Sequence, residues 1–182
     1  MILVLFIILL LIIIIGLLSI YYIVTYNKYQ EYIIRINESE SKIDNNIREK
    51  FDLLGKAINV IRGTLNIEGD IFPDIVKLRS RKLSSFELNR RLASTMLEFD
   101  KMKEENNGLQ KSDTFKEIDE KLQNIEADID ALQKYYNSII SKYNTLVRSF
   151  PSNIVAKFSH YKLKNYFDGK DMNDDITNDF KL

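Results

Sequence analysis

The chain has 182 residues, and its 26 basic and 26 acidic side chains give a formal net charge of zero. It contains no Cys and one His, which excludes disulfide frameworks, thiolate metal sites, cysteine nucleophiles and histidine-rich metal centres within one chain. Every charged side chain lies at or after Lys28, so an apolar segment precedes a charged chain of single-domain size.

Residues 1–27 are predicted to form an uncleaved membrane anchor. No polar side chain occurs between Ile2 and Leu18, and the apolar character continues to Val24. As a helix these residues would extend about 35 Å, enough to cross a hydrocarbon core of about 30 Å. An aromatic belt at the lipid–water boundary is predicted for four tyrosines: Tyr21, Tyr22, Tyr26 and Tyr29.

A cleavable signal peptide is the alternative interpretation of this segment. The apolar run is longer than a usual signal core and has no Lys or Arg before it. The first Ala of the chain is Ala57, so an A-x-A cleavage site is missing. These features favour the uncleaved anchor.

The cationic residues after the span predict its orientation. The N-terminal flank has no Lys or Arg, whereas Lys28, Arg35 and Lys42 follow the span closely. The positive-inside rule therefore predicts a single-pass protein whose C-terminal domain lies in the cytoplasm.

Residues 28–167 are predicted to form a helical domain. Apolar residues recur mostly three or four positions apart between Ile36 and Leu65, as on one face of a helix. Nothing between Val24 and Gly55 would break a helix, so the span can run directly into this first helix.

The most regular predicted helix runs from Phe115 to Phe150. Its apolar residues alternate three and four positions apart without a break, which is the a/d pattern of coiled-coil-like packing. Thr114 and Glu117 fit a capping box at its start, and Pro151 cannot continue it.

The predicted fold is therefore all-α. An N-terminal transmembrane helix is followed by an antiparallel, coiled-coil-like bundle of three to four long helices, because each apolar stripe needs a neighbour. A weaker stripe at residues 88–102 supplies the third helix, and residues 154–158 are predicted to pack against an end of the bundle. Residues 168–182, with five Asp and two Lys, are predicted to be a disordered tail.

The segment from Tyr135 to Asn153 resembles the C-terminal signature of the LemA family, a YN…YNT…R-FPSN pattern. The matching residues are Tyr136, Asn137, Tyr143, Asn144, Thr145, Arg148, Phe150, Pro151, Ser152 and Asn153. The chain departs from the family at residues 55–58, where Pro-Asn-Leu-Val is usual, and at residues 160–161, where Gly-Phe is usual. The resemblance implies a single-span membrane protein with an α-helical bundle, and it implies no reaction.

The two Tyr-Asn pairs of this signature, at residues 136–137 and 143–144, lie seven residues apart and share one helix face. They could form a polar ladder that recognises a partner helix. Their position on a heptad seam favours the alternative, in which both Tyr are core residues and each Asn bonds a neighbouring helix.

The Phe150–Asn153 corner also has two interpretations. The simpler one is a stop signal followed by a Ser/Asn cap for the next turn. The other is a docking corner for membrane or partner, with Ile154, Val155 and Phe158 exposed.

A basic cluster lies in the middle of the chain: Lys77, Arg79, Arg81, Lys82, Arg90 and Arg91. It could contact anionic lipid headgroups, although a solvated helix face is the commoner explanation of such a cluster. No nucleic-acid partner is expected, because the net charge is zero and few aromatic residues interleave with the cations.

No catalytic, cofactor-binding or metal site is predicted. His160 stands alone and is interpreted as structural. The phosphate-binding and zinc-protease motifs GxxxxGK[ST], GxGxxG and HExxH do not occur in the sequence. We therefore expect no cofactor, no small-molecule substrate and no enzymatic activity.

The sequence favours a membrane-anchored scaffold or adaptor that binds a protein partner or further copies of itself. A seam already filled within one chain cannot also pair, so the oligomeric state stays open. The alternative function is a sensory or signalling component that relays a change to a partner enzyme.

Overall fold

The computed structural model of the chain describes residues 1–67, 71–72, 75 and 85–167. Within these residues the secondary structure is helical, without strands: α1 Ile2–Leu65, α2 Ser85–Glu105, a 3-10 turn at Leu109–Lys111, α3 Asp113–Arg148 and α4 Ser152–Phe158. The all-α prediction is confirmed for this part of the chain. The acidic tail, residues 168–182, lies outside the described residues.

Helix α1 is continuous over 64 residues, as the absence of breakers after the span predicts. It ends at Leu65, and the next residue, Asn66, has a φ of 50°, a left-handed conformation that stops a helix. Among the described helices, α1 is the one long and apolar enough to cross a bilayer. Its apolar window is wholly exposed within the chain, which fits a lipid-facing membrane anchor.

The tertiary contacts divide the chain into two compact units. The first unit joins residues Met1–Glu38 to Asn137–Tyr166, and the second contains Ser39–Tyr136 together with Phe167. Helices α1 and α3 therefore contribute residues to both units.

The core of the second unit is built from the predicted apolar stripes. Its buried side chains come from α1, α2 and α3 and include Ile43, Ile47, Leu54, Ile61, Leu92, Phe99, Phe115, Leu122 and Ile129. Phe99 of α2 stacks on Phe115 of α3, with ring centroids 5.4 Å apart. Removing these side chains from water stabilises the unit by roughly 1.5–3 kcal/mol for each large one.

Two polar contacts set the direction of α1 relative to α3 within the second unit. Lys50 forms an ion pair with Glu126, and Glu40 accepts a hydrogen bond of 2.9 Å from the hydroxyl of Tyr136. Glu40 precedes Lys50 on α1, whereas its partner Tyr136 follows Glu126 on α3. The two helices are therefore antiparallel here.

The start of α3 differs from the predicted capping box. The helix begins at Asp113, and the hydroxyl of Ser112 accepts a hydrogen bond of 3.3 Å from the N–H of Phe115. Thr114 therefore lies inside the helix, while Glu117 pairs with Lys121 one turn later. The serine before the helix caps it because its hydroxyl reaches a free N–H of the first turn.

Candidate functional site

The first unit places the end of the membrane span beside α4. The Tyr22 hydroxyl lies 3.2 Å from the Ser159 hydroxyl, and the Tyr29 hydroxyl lies 3.2 Å from the Ser152 carbonyl oxygen. Tyr22 and Tyr29 are seven residues apart, as are Ser152 and Ser159, which corresponds to about 10 Å along a helix axis. Helix α4 therefore runs antiparallel to α1, and its C-terminal end lies at the level of Tyr22.

Tyr29 is a core residue of this unit. Its side chain is fully buried, and its hydroxyl donates a 2.7 Å hydrogen bond to the Leu146 carbonyl oxygen. Its ring lies edge-on to Tyr143 at 5.9 Å and 4.6 Å from the ring of Tyr161. Burial raises the pKa of Tyr29 above the ordinary tyrosine value.

The burial of Tyr29 corrects the predicted aromatic belt, because a fully buried ring cannot face lipid. The other three predicted belt residues, Tyr21, Tyr22 and Tyr26, are exposed at the end of the span. Tyr29 differs from them because the residues that cover it come from α3, α4 and the segment that follows α4, all distant in sequence.

The structure buries both tyrosines of the Tyr-Asn pairs. Tyr136 lies in the second unit, where burial and then the nearby carboxylate of Glu40 raise the pKa of its hydroxyl. Tyr143 lies in the core of the first unit, and burial raises its pKa also. Neither phenol is presented to a partner helix, so their positions favour the core interpretation.

Asn144 binds the backbone that returns after α4, residues 161–166, which we call the return segment. Its amide nitrogen donates to the Lys164 carbonyl oxygen at 2.7 Å, and its amide oxygen accepts from the Lys164 N–H at 2.9 Å. The partner of Asn144 is therefore the non-helical backbone of the return segment and not the neighbouring helix that the sequence predicts. Asn137, from the other pair, is partly buried.

His160 ends α4 in a left-handed conformation with a φ of 57°. The N–H of Tyr161 bonds the carbonyl oxygen of Ala156 at 2.9 Å, and the N–H of His160 bonds that of Lys157 at 3.3 Å. These two bonds make a Schellman motif, in which the left-handed residue is usually Gly. Gly is therefore the residue that this backbone conformation favours.

The Phe150–Asn153 corner joins α3 to α4. The Ser152 hydroxyl is 2.6 Å from the Leu146 carbonyl oxygen and 2.9 Å from that of Ser149, so it satisfies the last turn of α3. No side chain caps the start of α4, which differs from the predicted Ser/Asn cap for the following turn. Arg148, the last residue of α3, is exposed.

The corner and α4 expose large apolar side chains. Phe150 is 81% exposed, Ile154 47% and Phe158 76%. Ile154 and Phe158 are four residues apart and so share one face of α4. Val155, which the docking interpretation expected to be exposed, is buried together with Ser152 and Ala156 of the same helix.

The first unit also carries a marked excess of positive charge. Residues 137–166 contain five cations and no Asp or Glu: Lys142, Arg148, Lys157, Lys162 and Lys164. None of them is ion-paired within the described part of the chain, and the same holds for Lys28 on α1. These cations were not predicted as a group, because the positive-inside rule considers only cations close to the span along the chain. The absence of Asp and Glu from residues 137–166 is the sequence signal that could have identified them.

The predicted basic cluster is described only in part. Lys77, Arg79, Arg81 and Lys82 lie outside the described residues. Arg90 and Arg91 both form ion pairs with Glu87 on the same helix, and the hydrogen bond from Arg91 is the main reason that the pKa of Glu87 is lowered. A lipid role for the cluster stays a prediction.

Within the described ranges, no three His, Asp or Glu side chains come together in a way that could hold a metal ion. A groove of the second unit, between residues 51–62 and Ile75, presents Asp52, Lys56 and Arg62.

A sequence model of the LemA family matches residues 39–180, more than three quarters of the chain. The chain belongs to the LemA family. The anchor lies before the matched range, and the whole YN…FPSN signature lies inside it. Searches of curated proteins and of solved structures found no match.

In this LemA protein several signature residues hold the first unit together. Tyr143 packs against Tyr29, Asn144 fixes the return segment, and Ser152 closes the end of α3. These contacts keep α4 beside the membrane end of α1. The membrane-proximal surface of the first unit is therefore the candidate functional site.

Proposed function

We propose that this LemA protein is a membrane-anchored scaffold or adaptor, whose antiparallel helical bundle holds a protein partner close to the bilayer. The observation that carries the proposal is the continuity of α1 from Ile2 to Leu65. The same helix provides the span and, between Ile43 and Ile61, a buried stripe of the second unit. The anchor and the bundle therefore share one helix. The proposal assigns no catalytic residue.

A relay of a signal to a partner enzyme is the second candidate. It is favoured by the same continuity, because a tilt or shift of a helix can be passed along its length. The two candidates differ in what they require of the span. A scaffold needs only that the chain is anchored, whereas a relay needs specific contacts of the span within the bilayer.

The experiment compares three forms of the full chain in cells: the native form, a form with residues 2–18 scrambled in order, and a form lacking these residues. Scrambling keeps the composition and length, so it is the matched control for anchoring. In-cell photocrosslinking then identifies the proteins bound to each form. A scaffold keeps the same partners when the span is scrambled and loses them when the span is deleted.

The relay is favoured if the scrambled form stays in the membrane and keeps its partner, but the partner loses its enzymatic output. A native form that crosslinks to no protein would contradict both candidates. Turnover by the purified chain that is lost on changing one polar side chain would instead assign it an activity of its own.

We also propose that the bundle lies in the cytoplasm. Lys28, Arg35 and Lys42, which follow the span closely, support this orientation through the positive-inside rule. An epitope tag after Leu182 tests it in intact and permeabilised cells. Protection of the tag from protease in intact cells is expected, and its digestion there would place the bundle outside.

A further inference from the structure

We propose that α4 is a second membrane contact, which enters a bilayer containing anionic lipids beside the anchor. Phe158 enters deepest, Ile154 lies one turn above it, and the cations of the first unit bind the lipid phosphates. This contact is independent of any protein partner and adds a lipid preference to the anchoring by α1.

The depth of α4 follows from its two contacts with α1. Ser159 lies beside Tyr22, which is inside the apolar run that ends at Val24. Ser152 lies beside Tyr29, about 10 Å farther from the membrane centre along α1. The hydrocarbon core and the headgroup layers together are about 40–45 Å thick, so each headgroup layer is several ångströms deep. Helix α4 therefore crosses the headgroup layer with its C-terminal end toward the hydrocarbon.

The exposed side chains fit this position. Phe158 precedes Ser159 and is 76% exposed, and Ile154 on the same face is 47% exposed. Aromatic and aliphatic residues with this exposure favour an apolar phase, and the apolar surface of α1 continues directly into the same layer. The anchor thus brings lipid to α4 without any further binding step.

The charges of the first unit identify the class of lipid. Lys28 lies one helical turn beyond Val24, where lipid phosphates are expected. It lines a shallow groove with Lys142 and four hydroxyl-bearing residues, Tyr32, Ser141, Thr145 and Ser149. Neither ammonium group is paired with a carboxylate in the described residues.

Two further cations lie near the exposed apolar residues of α4. Lys157 and Lys162 lie on either side of the C-terminal end of α4, and both are exposed. Clustered cations next to an inserted apolar surface bind anionic lipids more strongly than zwitterionic ones. The first unit offers these cations with no carboxylate between residues 137 and 166 to repel the phosphates.

The chain has no Trp, so a single introduced Trp reports its own surroundings. We would make Phe158→Trp, Ile154→Trp and, as the matched control, Ile34→Trp in the full chain. Ile34 is an exposed residue of α1 in the same unit, about 15 Å beyond Val24 along the helix. Each variant is reconstituted into vesicles of phosphatidylcholine with phosphatidylglycerol, with and without lipids brominated near the glycerol end of their acyl chains.

The expected result is a graded loss of fluorescence. Brominated lipid removes most of the emission of Phe158→Trp, less of that of Ile154→Trp and none of that of Ile34→Trp. Water-like emission of Phe158→Trp without quenching would overturn the proposal. Blue-shifted emission without quenching would also overturn it, because protein rather than lipid would then cover α4.

A second arm tests the charge requirement. In vesicles of phosphatidylcholine alone, quenching of Phe158→Trp is expected to weaken. Neutralising Lys142, Lys157 and Lys162 with Gln in the Phe158→Trp chain is expected to reduce the difference between the two vesicle types. Quenching that is equal in both vesicle types before neutralisation would overturn the anionic-lipid part of the proposal.

Discussion

Asn144 binds Lys164 through both polar atoms of the Lys164 backbone, donating at 2.7 Å and accepting at 2.9 Å. Asn suits this position because one amide group supplies a donor and an acceptor side by side. The Ser141 hydroxyl lies 3.1 Å from the Tyr166 hydroxyl. Because Lys164 lies beside Asn144 and Tyr166 lies beside Ser141, the return segment runs antiparallel to α3. The asparagine thus satisfies both polar groups of the Lys164 backbone and holds the return segment against α3.

Asn144→Leu is expected to free the return segment. The Lys164 N–H and carbonyl would lose their partners in a partly buried place, at a cost of about 1–3 kcal/mol. Hydrogen exchange of the full chain in detergent micelles is the measurement, and faster exchange over residues 161–166 is the expected result. Lys164→Ala is the control, because both hydrogen bonds of Asn144 go to the backbone of Lys164. Equal exchange in the native and Leu chains would contradict the assigned role.

Four tyrosines make the fold sensitive to alkali. Burial is the first cause that raises the pKa of Tyr29, Tyr136, Tyr143 and Tyr161 above the ordinary value. The unfolded chain ionises near pH 10, whereas the folded chain keeps these protons to higher pH. Above about pH 10 the folded state therefore binds more protons, and its stability falls as pH rises; below that pH the loss is absent.

The measurement for this pH dependence is helicity of the full chain in micelles, followed together with phenolate absorbance. The chain has ten tyrosines, so we expect part of the phenolate absorbance to appear in the same cooperative step as the loss of helicity, at a pH above that of free tyrosine. Tyr136→Phe removes one of the four ionisations and should make the fall of stability with pH shallower. Complete phenolate formation without loss of helix would show that these four hydroxyls are accessible in the folded chain.

The sequence predicted the helices well where local periodicity decides them. The stripe from Phe115 to Tyr143 is almost wholly buried, because a regular a/d pattern must pack against a neighbour. The same pattern placed Phe150 in the core, yet α3 ends at Arg148 and leaves it exposed. Periodicity along a helix cannot say what happens beyond the helix end.

The candidate site was less predictable because its contacts join distant parts of the chain. The Tyr29 hydroxyl bonds the carbonyl oxygens of Leu146 and Ser152, which lie more than a hundred residues away in sequence. No local sequence pattern predicts such a contact. Likewise, Lys142 and Lys157 are far from the span in sequence and reach the membrane-proximal unit only through folding. The family motif identified Asn144 as a candidate residue, but it did not predict that the backbone of Lys164 is its partner.

His160→Gly is expected to stabilise the chain. A residue with a side chain pays about 1–2 kcal/mol to adopt the left-handed conformation, and Gly does not, although Gly loses more chain entropy on folding. The expected net gain is about 0.5–1 kcal/mol, and His160→Val should lose stability because a β-branched residue is most strained at this φ. Denaturant midpoints of the full chain in micelles give the order Gly, His, Val. A Val chain as stable as the native one would show that this turn can change conformation freely.

The ion pair between Lys50 and Glu126 is expected to respond unequally to loss of each partner. The Lys50 side chain is 2% exposed, whereas that of Glu126 is 37% exposed. Glu126→Ala leaves a buried ammonium without its partner, which costs about 3 kcal/mol or more. Lys50→Met keeps the packing of the buried stem and leaves a carboxylate that water can reach, so about 1 kcal/mol is expected.

The double variant, Lys50→Met with Glu126→Ala, removes the charge problem altogether. Its stability should lie close to that of Lys50→Met alone, so the two single effects are strongly non-additive. Denaturant unfolding of the four chains in micelles measures this cycle. Equal losses for the two single variants would mean that water reaches Lys50 in solution, and additive losses would mean that the pair does not couple α1 to α3.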